Sequence, residues 1–198
     1  MATRNTGRAT TLTRDEIEAL GRAVHANAVE LAEDATILLD AGRPARAYAL
    51  AEAAAEELGK IVLLARVGAE LAMGGGKVDW QTFWGKFADH GSKAWNAAFL
   101  DYLLGEQPGA WAAGDVEGIR ADREGVATAQ RQAAAMVALH QRSLYVDFEA
   151  GKILTPDDPI VQENAEMIVS AVRELATTMA NPRLGRQRGC AQADGKGL

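Results

Sequence analysis

The chain has little of what most small catalytic or secreted folds are built with. It carries one cysteine, Cys190, in a Gly-rich stretch, so it has no disulfide framework and no cysteine-based metal site. Prolines number five and aromatics make up 6% of 198 residues, while β-branched residues are sparse beside Ala, Leu and Glu. That imbalance argues against a sheet and for an all-α fold. No apolar run approaches the roughly 18 residues of a membrane span, and the opening MATRNTGRATTLTR has no apolar core of a signal peptide. A cytoplasmic protein with no membrane contact is the expectation. Also missing are a P-loop, a GxGxxG turn, HExxH, a zinc-spaced His/Cys cluster and the ExxH pattern of di-iron bundles. No metal or cofactor is therefore expected, and no internal repeat is found.

What is present is helical. The formal charge of −6 is uneven: residues 1–14 and 181–198 each carry +3, which leaves −12 for residues 15–180. Three segments follow: a flexible basic arm over 1–12, one helical domain over 13–181, and a disordered basic tail over 182–198. An acidic body disfavours broad electrostatic binding of nucleic acid, although it leaves room for a local site.

The stretch RAYALAEAAAEELGK, residues 46–60, holds strong helix formers and has no Gly before position 59. Steps of four and three along it give Leu50, Ala54, Glu57, Ile61, Leu64, Gly68 and Leu71 as one apolar face containing Glu57. A buried carboxylate needs a partner, and Lys60 stands one turn on. The preceding helix starts at a capping box, Thr13 with Glu16, and Leu12 and Ile17 are placed as a hydrophobic staple. Its seam is predicted to run Ile17, Leu20, Val24, Asn27, Leu31, Asp34, Leu38 and to end near Gly42, with Pro44 opening the next helix.

An aromatic helix is predicted over 79–104, with Phe83, Phe87, His90 and Ala94 on one face and Lys93 one turn after His90. A loop over 105–114 leads to a fourth helix over 115–141. In RSLYVDF, Leu144, Val146 and Phe148 alternate with Tyr145 and Asp147, an extended pattern that forms either a small hairpin or a loop capping the open end of the bundle. Tyr145 and Asp147 would then point the other way, toward the polar residues. A fifth helix is predicted from the Thr155/Asp158 cap, with Pro156 at its first position, to Asn181.

Asn27, Asp34, Glu57 and His90 thus come from three helices and fall on faces expected to be dry. They either set helix register or line a shared pocket or subunit interface. His90 is the candidate proton donor or acceptor near neutral pH. His25 and His140 read as structural or exposed.

The runs Asn27–Ala35, Gly42–Ala47 and Glu56-Glu57-Leu58-Gly59-Lys60, together with His90-Gly91-Ser92-Lys93 and Arg142-Ser143-Leu144-Tyr145-Val146-Asp147-Phe148, resemble the AbiV family of bacterial abortive-infection proteins, in the HEPN-like superfamily. The likeness spans residues 14–180. It implies an up-down bundle of about five helices with a short extended segment after the fourth, and a role in stopping phage multiplication through translation shut-down. A homodimer, a phage-encoded protein trigger, and RNA or a ribosome-associated target are implied with it. One departure stands out: many HEPN proteins are metal-independent ribonucleases whose motif is an Arg and a following His with four to six residues between them. Here Arg22 precedes His25 with two residues between, and Arg131 precedes His140 with eight. That mechanism is not carried over by motif. Should cleavage occur, His90, Lys93 and Glu57 are the candidate catalytic residues. Asn27, Asp34, Lys60, Arg142, Tyr145 and Asp147 form the candidate binding cluster, Arg142 as an alternative to Lys93 for holding a phosphate. A structural or ligand-binding bundle without toxic activity is the competing reading.

Overall fold

The computed structural model describes residues 11–73, 78–105, 107, 109–110 and 115–180. Residues 1–10 of the expected arm, the expected tail over 182–198 and most of the loop over 105–114 lie outside them. Helices α1 (Arg14–Asp40) and α2 (Pro44–Ala72) form the first pair, followed by α3 (Trp80–Ala88), α4 (His90–Gly105), α5 (Val116–Ala121), α6 (Arg123–Leu144), a hairpin of β1 (Asp147–Glu149) and β2 (Lys152–Leu154), and α7 (Gln162–Met179). The class is all-α, with one two-stranded sheet among the described residues. None of the described helices is long and apolar enough to cross a membrane.

α1 starts where its capping box places it: the Glu16 carboxylate accepts the Thr13 backbone N–H at 2.8 Å, and the Thr13 hydroxyl accepts the Glu16 N–H at 3.3 Å. Gly42, at φ +69°, turns the chain, and Pro44 occupies the first turn of α2. The pair then packs through small residues. Ala28, Ala32 and Ala35 of α1 lie in the same clusters as Ala51, Ala54, Ala55 and Leu58 of α2. Ile17 and Val24 of the predicted seam are buried, and beyond them the seam shifts by one residue to Ala28, Ala32 and Ala35. Leu20, Leu31 and Leu38 are half-buried, and Asn27 and Asp34 face solvent. Alanine brings the two backbones close, so the line of contact follows small side chains rather than large ones.

α2 is the axis of the bundle and packs on α1, α4, α6 and α7. It is buried nearly all round, which is why a single amphipathic face read from its sequence selects one among several.

Two expected helices are each broken by an aspartate that caps the second half. Asp89 is extended at ψ 123°, and its side chain accepts the Ser92 N–H at 2.7 Å, so α3 ends and α4 begins at His90. Asp122 accepts the Gly125 N–H at 3.0 Å and the Tyr102 hydroxyl at 2.7 Å, separating α5 from α6. The fifth predicted helix starts later than expected. Thr155 donates its N–H and hydroxyl to Asp158 within a turn, Pro159 follows, and helical structure begins only at Gln162.

The last two residues of the LYVDF segment, Asp147 and Phe148, enter the hairpin, with Phe148 opposite Ile153 and a two-residue turn at Ala150 (φ 50°) and Gly151 (φ 81°). It does not cap the bundle. Leu144 is half-buried, but Val146, Phe148 and Ile153 are 65%, 69% and 70% exposed.

Candidate functional site

On α2, Tyr48, Glu52, Glu56 and Gly59 follow one another at steps of four, four and three, so they share a face. That face meets α4 at Gly59, where a Cβ would lie 2.1 Å from the Lys93 carbonyl oxygen. Only glycine permits so close a crossing. The approach delivers both chemistry-bearing residues of α4: His90 Nδ1 lies 2.6 Å from Glu56 Oε1, and Lys93 Nζ lies 2.5 Å from Glu56 Oε2. From the far side α6 contributes His140, whose Nδ1 contacts Glu52. Ser143 sits one turn on and donates its hydroxyl to the His140 carbonyl at 2.6 Å. The His90 and His140 rings are 5.9 Å apart, with 32° between their planes.

Five ionisable groups from three helices therefore meet in one place. Glu52 is fully buried and Glu56 nearly so, Lys93 is 10% exposed at its side chain, and His90 reaches solvent at 65%. Burial, and after it the charge of Glu56, pushes the Glu52 carboxyl up to about 8 against the opposing pull of Lys93. Glu52 is thus an acid rather than a carboxylate at neutral pH. Burial likewise holds the His140 imidazole below its ordinary value, so it is neutral there. Tyr48 is pushed up to about 12, first by burial and then by Glu52. Glu56 and Lys93 form the buried ion pair of the cluster, tolerable because each charge has its counterpart.

Of the residues singled out from sequence, His90 and Lys93 enter this cluster and the others do not. Glu57 points one step round the helix, where it pairs with Lys60, whose ammonium also lies 5.2 Å over the Phe87 ring. Asn27 and Asp34 are exposed on α1. Arg142 pairs with Glu149 of the hairpin at 2.6 Å, and with exposed Tyr145 and Asp147 it lines a separate hollow beside the hairpin. Sequence reading missed Glu52, Glu56 and His140. The available signal was the step Tyr48–Glu52–Glu56–Gly59, which ends on a glycine as a close helix crossing requires. Among the described residues no group of three or more His, Cys, Asp and Glu side chains is placed to hold a metal ion.

Fold and cluster together define an all-α bundle with an ionisable centre where α2, α4 and α6 meet. Residues 16–177 match the family model described as AbiV, of the HEPN type, and the chain belongs to that family of bacterial abortive-infection proteins. No curated protein and no solved structure matches the chain.

Proposed function

We propose that the chain is an abortive-infection effector that halts translation in phage-infected cells by engaging RNA or the translation machinery, and that the cluster around Glu56 is its working centre. One observation carries this reading: His90, held by a buried carboxylate, is the member of the cluster that comes out to solvent. An alanine-rich bundle has no structural need of Glu52, Glu56 and Lys93 in its interior, since apolar residues of similar volume serve packing as well or better. Pairing with a second copy and release by a phage-encoded trigger belong to the same proposal. The exposed apolar side chains of the hairpin offer a surface for either.

A second reading, metal-independent cleavage of RNA, is favoured by the second imidazole. In-line cleavage needs a base for the 2′-hydroxyl, an acid for the leaving oxygen and a cation, and His90, His140 and Lys93 supply these three types within one cluster. His90 suits the base role, because its Nδ1 faces Glu56, which leaves Nε2 out of that contact on a side chain 65% exposed.

Induced expression in bacteria tests the effector reading through growth, phage plaques and amino-acid incorporation. Arrest that is lost in folded Glu56→Gln and His90→Ala supports it. Unaltered growth and plaques with the wild-type chain would leave a bundle whose polar residues serve packing alone. Purified protein incubated with total RNA beside His90→Ala tests the second reading, which intact RNA in both lanes ends.

A further inference from the structure

Glu52 is the member of the cluster that neither reading uses. It has no contact with water and sits one turn from Glu56, whose two oxygens are already taken by His90 Nδ1 at 2.6 Å and Lys93 Nζ at 2.5 Å. The single ammonium of Lys93 balances one carboxylate. A second in the same dry space would stand uncompensated, so Glu52 keeps its proton. Two acceptors lie within reach of that proton, Glu56 on the same helix and His140 on α6, and Glu56 already takes His90 and Lys93. His140 Nδ1 is buried and in contact with the Glu52 carboxyl, close but without the alignment of a full hydrogen bond, and it has no other hydrogen-bonding partner. A small turn of either side chain completes the bond. The titratable groups surrounding Glu52 are Tyr48 and Glu56 on α2, His90 and Lys93 on α4 and His140 on α6.

We propose that Glu52 is a positioning residue and proton store: as a carboxylic acid it donates to His140 Nδ1, which fixes His140 as the Nε2–H tautomer and makes it the acid partner of His90. The two α2 carboxyls then give the two histidines opposite roles. Glu56, a carboxylate, accepts from His90 Nδ1–H and leaves a lone pair on His90 Nε2. Glu52, an acid, does the reverse to His140.

The inference rests on the cleavage reading for its consequence and on the proton positions for its test. A neutral imidazole is a weak acid by itself, and the store behind it removes that weakness. As O2′ of an RNA strand bonds to phosphorus, His90 Nε2 takes its proton and the P–O5′ bond breaks. O5′ takes the Nε2 proton of His140, and His140 Nδ1 takes the proton of Glu52. The products are a 2′,3′-cyclic phosphate, a 5′-hydroxyl, an imidazolium at His90 and a carboxylate at Glu52. Protons and charge balance, and no co-reactant is needed.

Imidazole nitrogen NMR and infrared difference spectroscopy on the full chain test the proton positions without substrate. At neutral pH His140 is expected as Nε2–H and His90 as Nδ1–H, and a protonated-carboxyl band is expected to vanish in Glu52→Gln. The glutamine amide still donates to His140, so the tautomer persists while the transferable proton is gone. Cleavage of an RNA oligonucleotide should then fall by about 10²–10⁴-fold. A substrate with a sulfur leaving atom at the 5′ position, which needs no acid, should restore it in Glu52→Gln but not in His90→Ala. A titration of the carboxyl band in the wild-type chain serves if the variant does not fold. An Nδ1–H signal at His140, no band assignable to Glu52, or undiminished cleavage by Glu52→Gln overturns the proposal. A wild-type chain with the expected tautomers but no cleavage of RNA overturns the cleavage reading and leaves the proton placement standing.

Discussion

Glu56 Oε1 and His90 Nδ1 stand 2.6 Å apart across 34 positions of sequence, and Lys93 closes on the other oxygen of the same carboxylate at 2.5 Å. Glu56 is thus the hub that joins α2 to α4, and its removal leaves the Lys93 ammonium buried without a counter-charge. Glu56→Ala is expected to cost about 3–5 kcal/mol in denaturant unfolding. The double variant Glu56→Ala/Lys93→Met should recover a large part of that loss. If the double variant is as unstable as the single, the cost comes from packing and not from the stranded charge.

Gly59→Ala places a methyl group where only 2.1 Å separates it from the Lys93 carbonyl oxygen, on backbone that has no rotamer to yield. Overpacking of this kind costs about 1–3 kcal/mol. The measurement is the unfolding midpoint, with His90 NMR shifts reporting whether α4 has been pushed from Glu56. An unchanged midpoint would mean that the two helices separate freely.

The pH dependence of stability follows from Glu52. Its carboxyl is raised in the folded chain, so folded protein holds a proton that unfolded protein releases above the ordinary carboxylate range. The sign is therefore a loss of stability as pH rises from that range to about 8, levelling beyond it. Wild type and Glu52→Gln compared by thermal melts across this window should show the variant gaining relative to wild type as pH rises. Parallel curves would mean that Glu52 is ionised in the fold.

Phe148→Ser and Ile153→Ser alter side chains 69% and 70% exposed, so fold stability should change by about 0.5 kcal/mol or less. If the hairpin joins two copies, light scattering should show a wild-type mass of twice 21.0 kDa and a single-chain mass for the double variant. Equal masses for both would place any interface between copies elsewhere.

Helix content, the α1 start and the α1–α2 turn were legible because each rests on local signals: the Thr13/Glu16 box, Gly42 and Pro44. The breaks at Asp89 and Asp122 were not, since an aspartate inside a helical pattern looks like a surface residue until its side chain is seen capping the next turn. At the site, His90 and Lys93 stood out because a polar pair on an aromatic helix is conspicuous. Glu56 was passed over for Glu57. α2 is buried on several faces, and periodicity alone does not say which of two adjacent glutamates turns inward. His140 could be placed only from tertiary contact, because nothing near it in sequence names Glu52 as its neighbour.

The alanine seam between α1 and α2 carries a consequence for how such a chain diversifies. Helices spaced by single methyl groups have no slack, and any larger residue at Ala28, Ala32, Ala51 or Ala54 would swing α2 and carry both inward glutamates off their partners. Inheritance can therefore experiment on the outer rind of the molecule, where Asn27 and Asp34 lie, but must leave the thin inner joint almost untouched.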